Sequence, residues 1–188
     1  MRCSVCEGHT LQPHLLEEGL VGAGCANCSG ILLSLINYRF WVDNLCNENP
    51  LSIEPLSKQR DESAQDIEPV ADSLSVRSCP KCTRLMTKYA ISAKTENRID
   101  VCLGCDEVWL DQNEWALLKQ FNIADQLATI STGAWQRQVR LDREAEHLKH
   151  HYEKVLGEED FKKLEAFKIW LDNHPDKSTI QHYLTIKF

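Results

Sequence analysis

Eight of the nine cysteines fall into four Cys-x-x-Cys pairs: Cys3 with Cys6, Cys25 with Cys28, Cys79 with Cys82 and Cys102 with Cys105. Two cysteines so close along the chain make a poor structural disulfide, but one turn can present both thiolates to a soft metal ion. Eighteen residues separate the inner cysteines of the first set and nineteen those of the second. Each set can therefore close a tetrahedral four-thiolate site at the base of a hairpin. Zinc is favoured, two ions per chain, with Cys3, Cys6, Cys25, Cys28, Cys79, Cys82, Cys102 and Cys105 as the metal ligands. Rubredoxin-like iron is the alternative. Four thiolates leave no position open for water or substrate, so the expected role is folding and no catalysis is expected.

Other residues with chemical potential have plainer readings. Cys46 follows the apolar segment Tyr38 to Leu45 and reads as a small buried hydrophobe. His147, His150 and His151 stand three and four apart on a helical segment, where two imidazoles could share a third metal, but solvated histidines are the default. Trp109 and Trp115 could offer a stacking platform to nucleobases; cover for the metal site explains them more simply. A thioredoxin-like dithiol would need an α/β setting, and none surrounds any of the four pairs.

The elements that position these cysteines form an internal repeat. Leu33-Ser34 follows Cys28 at the interval at which Leu110-Asp111 follows Cys105, and Asn37-Tyr38 matches Glu114-Trp115 in the same register. Within the units, Leu11 to Leu16 and Leu20 to Ala23 flank a turn at Glu17-Glu18-Gly19, and Leu85 to Ile91 and Arg98 to Val101 flank the polar stretch Ser92 to Asn97. Neither hairpin could bury enough surface to fold alone; a metal would supply the difference. A helix follows each unit. Asp111 and Glu114 have capping-box spacing, and Ser34 is the equivalent cap before a segment that is apolar nearly all round and must pack against the ribbon, the second unit or a partner.

Four regions are expected: a first ribbon with its apolar helix (1–46), an acidic linker (47–78), a second ribbon with a capped helix (79–121) and a helical region (122–188). The linker, with Pro50, Pro55, Pro69 and most of the acidic excess, would leave the two ribbons independently mobile. In the last region Leu141, Ala145, Leu148, Tyr152 and Val155 recur at coiled-coil spacing up to Gly157, and Phe161, Leu164 and Leu171 follow. A helical hairpin turning at Gly157 to Asp160 is the natural form, with self-association or a protein partner along its stripe.

The formal charge of -7 over 188 residues argues against non-specific nucleic-acid binding, which rests on Lys and Arg at phosphates. With no run of 18 apolar residues and a thiol-rich composition, a cytoplasmic, non-membrane protein is expected.

The segment Cys79-Pro-Lys-Cys82, Leu85, Cys102-Leu-Gly-Cys105, Trp109-Leu110-Asp111 and Glu114 resembles the transcription-factor-IIB-type zinc-finger family of bacterial proteins. That family runs Cys-Pro-x-Cys, a Leu, a hairpin, then Cys-x-x-Cys-Gly-Gly-x-Trp-Leu-Asp with a Glu three residues later. The resemblance implies that the four cysteines bind zinc. In the second unit Asp106-Glu107 replaces the two glycines, so a different local turn is expected. The first unit is a degenerate copy, with Ser4 at the Pro, Ser29 at one Gly, Leu32 at the Trp and Ser34 at the Asp position. The fold class expected is a small metal-stabilised α+β protein, two zinc ribbons followed by a C-terminal helical hairpin. The function expected is that of a zinc-binding protein-interaction or adaptor module; the alternative is nucleic-acid binding in transcription or RNA handling.

Overall fold

The computed structural model describes residues 1–6, 8–48 and 75–186, with the side chains of 46–48 outside that description. Most of the expected linker, and the surroundings of the Cys46 thiol, therefore lie outside the described residues. The chain divides into two compact units, Met1–Arg140 and Leu141–Phe188.

In the first unit, β1 (Gln12–Glu17) and β2 (Leu20–Gly24) form the first hairpin, and β4 (Thr87–Ala90) and β5 (Arg98–Cys102) the second. Gly19 takes the left-handed φ of 79° that a two-residue turn between Glu17 and Leu20 requires. Each hairpin gains a third strand that the sequence reading did not anticipate, β3 (Ile31–Ser34) and β6 (Glu107–Leu110). These short runs sit between a cysteine knuckle and a helix, where no alternation marks them as strands. All six strands join one antiparallel sheet in the order β1-β2-β3-β6-β5-β4.

That order corrects the expectation of independently mobile ribbons. β3 and β6 pair along their whole length, Ile31 with Leu110, Leu32 with Trp109, Leu33 with Val108 and Ser34 with Glu107. Because the repeat equates Leu32 with Trp109, the pairing is self-consistent under exchange of the two modules. The seam is a pseudo-two-fold axis through the Leu32–Trp109 pair, the single-chain counterpart of an isologous dimer contact.

Strand alternation then sorts the side chains onto two faces. One face buries Leu33, Ile99, Val101, Val108 and Leu110 beneath α1 (Leu35–Glu48) and α2 (Glu114–Gln120). The apolar helix α1 thus finds cover inside the chain for one side, through Leu35, Tyr38 and Trp41, while Ile36 and Phe40 stay exposed. Trp41 and Trp115, one from each module's helix, meet edge to face at 6.0 Å. Both indoles donate to the first hairpin's turn, Trp41 to the Glu18 carbonyl (3.0 Å) and Trp115 to Glu17 Oε1 (2.8 Å). The Tyr38 hydroxyl donates to the Ala124 carbonyl (2.7 Å) and accepts from Leu127 N (3.1 Å), fixing a 3-10 turn (Ala124–Gln126) and α3 (Leu127–Ile130) over the core.

The capping box forms by half. Glu114 Oε2 accepts the Asp111 amide at 2.8 Å, but Asn113, at φ 68°, is the residue preceding α2, and the Asp111 carboxylate is used elsewhere.

The long helix α4 (Gly133–Leu156) starts in the first unit, where Trp135 Nε1 donates to the Ile91 carbonyl (3.1 Å) and Gln136 bonds both the amide and the carbonyl of Ala90. In the second unit its remainder forms a hairpin with α5 (Glu158–Asp172), closed by Lys149 on Glu165 at 2.9 Å. The turn is tighter than expected: Gly157 alone, at φ 80°, separates the helices. A further helix, α6 (Lys177–Thr185), follows the His174-Pro175 break.

Candidate metal centres

On the other face of the sheet, the eight paired cysteines surround the seam. Buried Cys3, Cys25, Cys79 and Cys102 form one cluster with Leu11, Leu32, Met86 and Trp109, and Cys6, Cys28, Cys82 and Cys105 pack against it. The four sulfurs of each set lie within 4.8 Å of one another, and none is in a disulfide. Sulfur separations are 3.6 Å for Cys3–Cys28, 3.5 Å for Cys79–Cys105 and 3.4 Å for Cys82–Cys102. A tetrahedron with bonds of about 2.3 Å has edges of about 3.8 Å, so both sets are geometrically suited to one metal ion each. The clusters resemble structural zinc sites rather than a catalytic centre.

The backbone prepares the sulfurs for negative charge. Val5 and Cys6 amides both donate to Cys3 Sγ at 3.3 Å, and Lys81 and Cys82 amides do the same for Cys79. Amide donation, from Cys28 onto Cys25 and from Arg84 onto Cys82, draws these two thiols down to about 7. Burial works the other way and pushes the Cys3, Cys28, Cys79 and Cys105 thiols above the ordinary range. A metal ion resolves that conflict, because it replaces the proton as the charge that a buried sulfur faces.

The knuckles repeat in detail. The Cys3 amide donates to the His9 carbonyl and the Cys79 amide to the Arg84 carbonyl, both at 2.8 Å. Leu11 N reaches the Met1 carbonyl as Met86 N reaches the Arg77 carbonyl, both at 2.9 Å. Ser29 and Asp106, at the first glycine position of the motif, hold matching left-handed φ values of 57° and 54°. The turn is therefore kept, and Glu107, at the second glycine position, lies in β6 and needs no special conformation.

Sequence reasoning passed over Arg77, placing it in the linker. Arg77 is 5% exposed, and its guanidinium lies 5.9 Å from the Trp109 ring centroid. Its Nε donates to Asp100 Oδ2 (3.0 Å) and its Nη2 to Asp111 Oδ2. Lys88, directly across from Asp100, donates to the same Oδ2 at 2.9 Å, and the Trp109 indole donates to Asp111 Oδ1 at 2.8 Å. Despite the two cations, burial holds the Asp100 carboxyl above its usual range. The only forewarning was the register, which places Arg77 two residues before Cys79; nothing in a linker-like context signals burial.

Trp109 is fully buried and Trp115 nearly so, which removes the stacking platform. His147, His150 and His151 are exposed, and among the described residues only the two cysteine sets gather three or more metal-ligating groups. No helix among the described residues is long and apolar enough to cross a membrane. No protein-family model matches the chain, and neither a curated protein nor a solved structure does.

Proposed function

We propose that this chain is a two-zinc protein of the transcription-factor-IIB-type zinc-ribbon class, with a protein-interaction role carried by its C-terminal helices. The cysteine spacing, the sulfur geometry and the repeated knuckles support the metal reading. The distribution of apolar surface supports the interaction reading. The first unit exposes Leu15, Phe40, Leu85 and Leu103 around a large buried core, whereas the smaller second unit buries Phe161 and Leu171 but leaves Leu141, Leu148, Tyr152, Val155, Ile169, Trp170, Tyr183 and Leu184 exposed, several by more than half. So much unburied aliphatic and aromatic area on one small helical unit is the mark of a contact surface.

The nucleic-acid alternative draws on Lys81, Arg84, Lys88, Lys94 and Arg98. Two of these cations are engaged within the chain, Lys81 by Glu107 and Lys88 by Asp100. That lowers the positive field available to phosphates.

Sedimentation of the metal-loaded chain over a wide concentration range tests the self-association arm. The expected result is a mass that rises with concentration and falls back to one chain in Leu148→Asp with Val155→Asp. A strictly monomeric chain, with the exposed stripe unprotected against hydrogen exchange, would leave a different protein as the only partner class.

A further inference from the structure

We infer that the two metal sites are thermodynamically coupled across the β3–β6 seam, so that a metal in either site tightens the other. The inference rests on the reading that both cysteine sets hold metal. It starts from how β3 is held. β3 pairs with its own hairpin only at Ala23–Leu32 and Gly24–Ile31, but with β6 along all of Ile31–Ser34. The strand leaving the Cys25/Cys28 knuckle is thus positioned more by the other module than by its own.

The side chains interlock in the same sense. Trp109 lies so closely over Gly30 that a Cβ there would stand 2.2 Å from Trp109 Cζ2. Gly30 itself accepts the Cys25 amide through its carbonyl at 2.9 Å, and its amide donates to Cys28. One side chain of the second module therefore presses on the residue whose backbone organises two ligands of the first. In return, the first amide of α1, Leu35 N, donates to the Asp106 carbonyl at 2.9 Å, in the turn that follows Cys105. Neither knuckle can loosen without disturbing a contact that shapes the other.

Coupling of this kind is reciprocal by linkage, and a factor on the order of tenfold lies within the usual range for such effects. The measurement compares three chains by zinc competition against a chromophoric chelator: wild type, Cys6→Ser with Cys25→Ser, and Cys82→Ser with Cys102→Ser. The overall two-zinc association constant of the wild type should exceed the product of the two single-site constants by roughly tenfold. A variant that keeps four intact cysteines yet binds no zinc is the strong limit of the same coupling. Equality of the two quantities, with two zinc ions bound per wild-type chain, overturns the coupling but leaves the metal reading intact; no zinc in the wild type overturns the metal reading itself.

Two further observations guard against a variant that misfolds for its own reasons. Gly30→Ala, which forces Trp109 away from the first knuckle, and Trp109→Leu, which removes the side chain that spans the seam, should each reduce the excess while two zinc ions still bind. In the unmodified chain, partial chelation should deprotect the amides of β3 and β6 together. Opening of β3 while β6 stays protected would contradict the coupling.

Discussion

The two modules share a knuckle geometry and a register, yet they are stabilised differently. Around the second metal site the sheet face carries Arg77, Lys88, Asp100 and Asp111, a buried ionic group braced on Trp109. At the corresponding positions the first module has Met1, Pro13, Ala23 and Ser34, and Leu32 in place of the Trp. The large, polar-anchored half of the seam comes from one repeat and the small half from the other: Trp109 supplies volume, and Gly30 supplies the room for it. What reads in sequence as degeneration of the first copy is, in the sheet, complementarity between the copies. Two Trp side chains facing two glycines would be a symmetric solution; here one pair carries the interlock, and Glu107 is released to pair with Lys81.

The largest effect expected is that of pH on the metal, and it should be felt at both modules. Burial raises Cys3 and Cys28 in one site and Cys79 and Cys105 in the other, so these groups carry protons in the metal-free chain near neutrality and must lose them on binding. Protons compete with metal, and apparent affinity therefore rises with pH. With at least about two protons released per site, each unit of pH changes each affinity by about a hundredfold or more. Chelator competition at a series of pH values from about 6 to 8 gives the slope.

Arg77→Ala comes next, and it should separate the modules. It strands the buried Asp100 carboxylate beside a single lysine, and breaking a buried pair in this way costs about 3–5 kcal/mol. Denaturant unfolding of the metal-loaded chain should show that loss, whereas Ser34→Ala, at the place in the first module equivalent to Asp111, should be close to neutral. Replacing Arg77 and Asp100 together by apolar residues of similar volume should recover much of the stability.

Gly30→Ala is expected to cost about 1–3 kcal/mol, the usual penalty of overpacking, and that cost should be smaller in a Trp109→Leu background, where the ring no longer fills the space. If Gly30→Ala proves silent, the interlock is looser than its geometry implies. The smallest effect is that of Glu114→Gln, which weakens a charge-assisted bond to the Asp111 amide and should cost about 1 kcal/mol in thermal unfolding, with the metal content unchanged.

The cysteine sets, both hairpins and the helices after them were legible in the sequence, because ligand spacing and hairpin alternation are local signals. The seam was not. β3 and β6 are runs of four residues whose partners across the seam lie more than seventy positions away, and their apolar character suits a helix approach as well as a strand. Arg77 was hidden for a related reason: a lone arginine at the end of an acidic stretch gives no sign of the carboxylates that a distant strand will bring to it. Asp111 misled in the opposite direction, since capping-box spacing marked it as a helix cap, whereas Arg77 and the Trp109 indole claim its side chain. The repeat register carried the information all along, because it aligned Leu32 with Trp109 and so contained the pseudo-axis; what it lacked was a reason to place the copies side by side.

The central claim, two four-thiolate zinc centres in one sheet, is tested most directly by zinc-edge X-ray absorption on untagged protein purified without added metal, with zinc and iron measured per chain on the same sample. The account expects two zinc ions per chain and a first shell of four sulfurs at about 2.3 Å. One zinc or none, iron in its place, or nitrogen and oxygen in the first shell would contradict it.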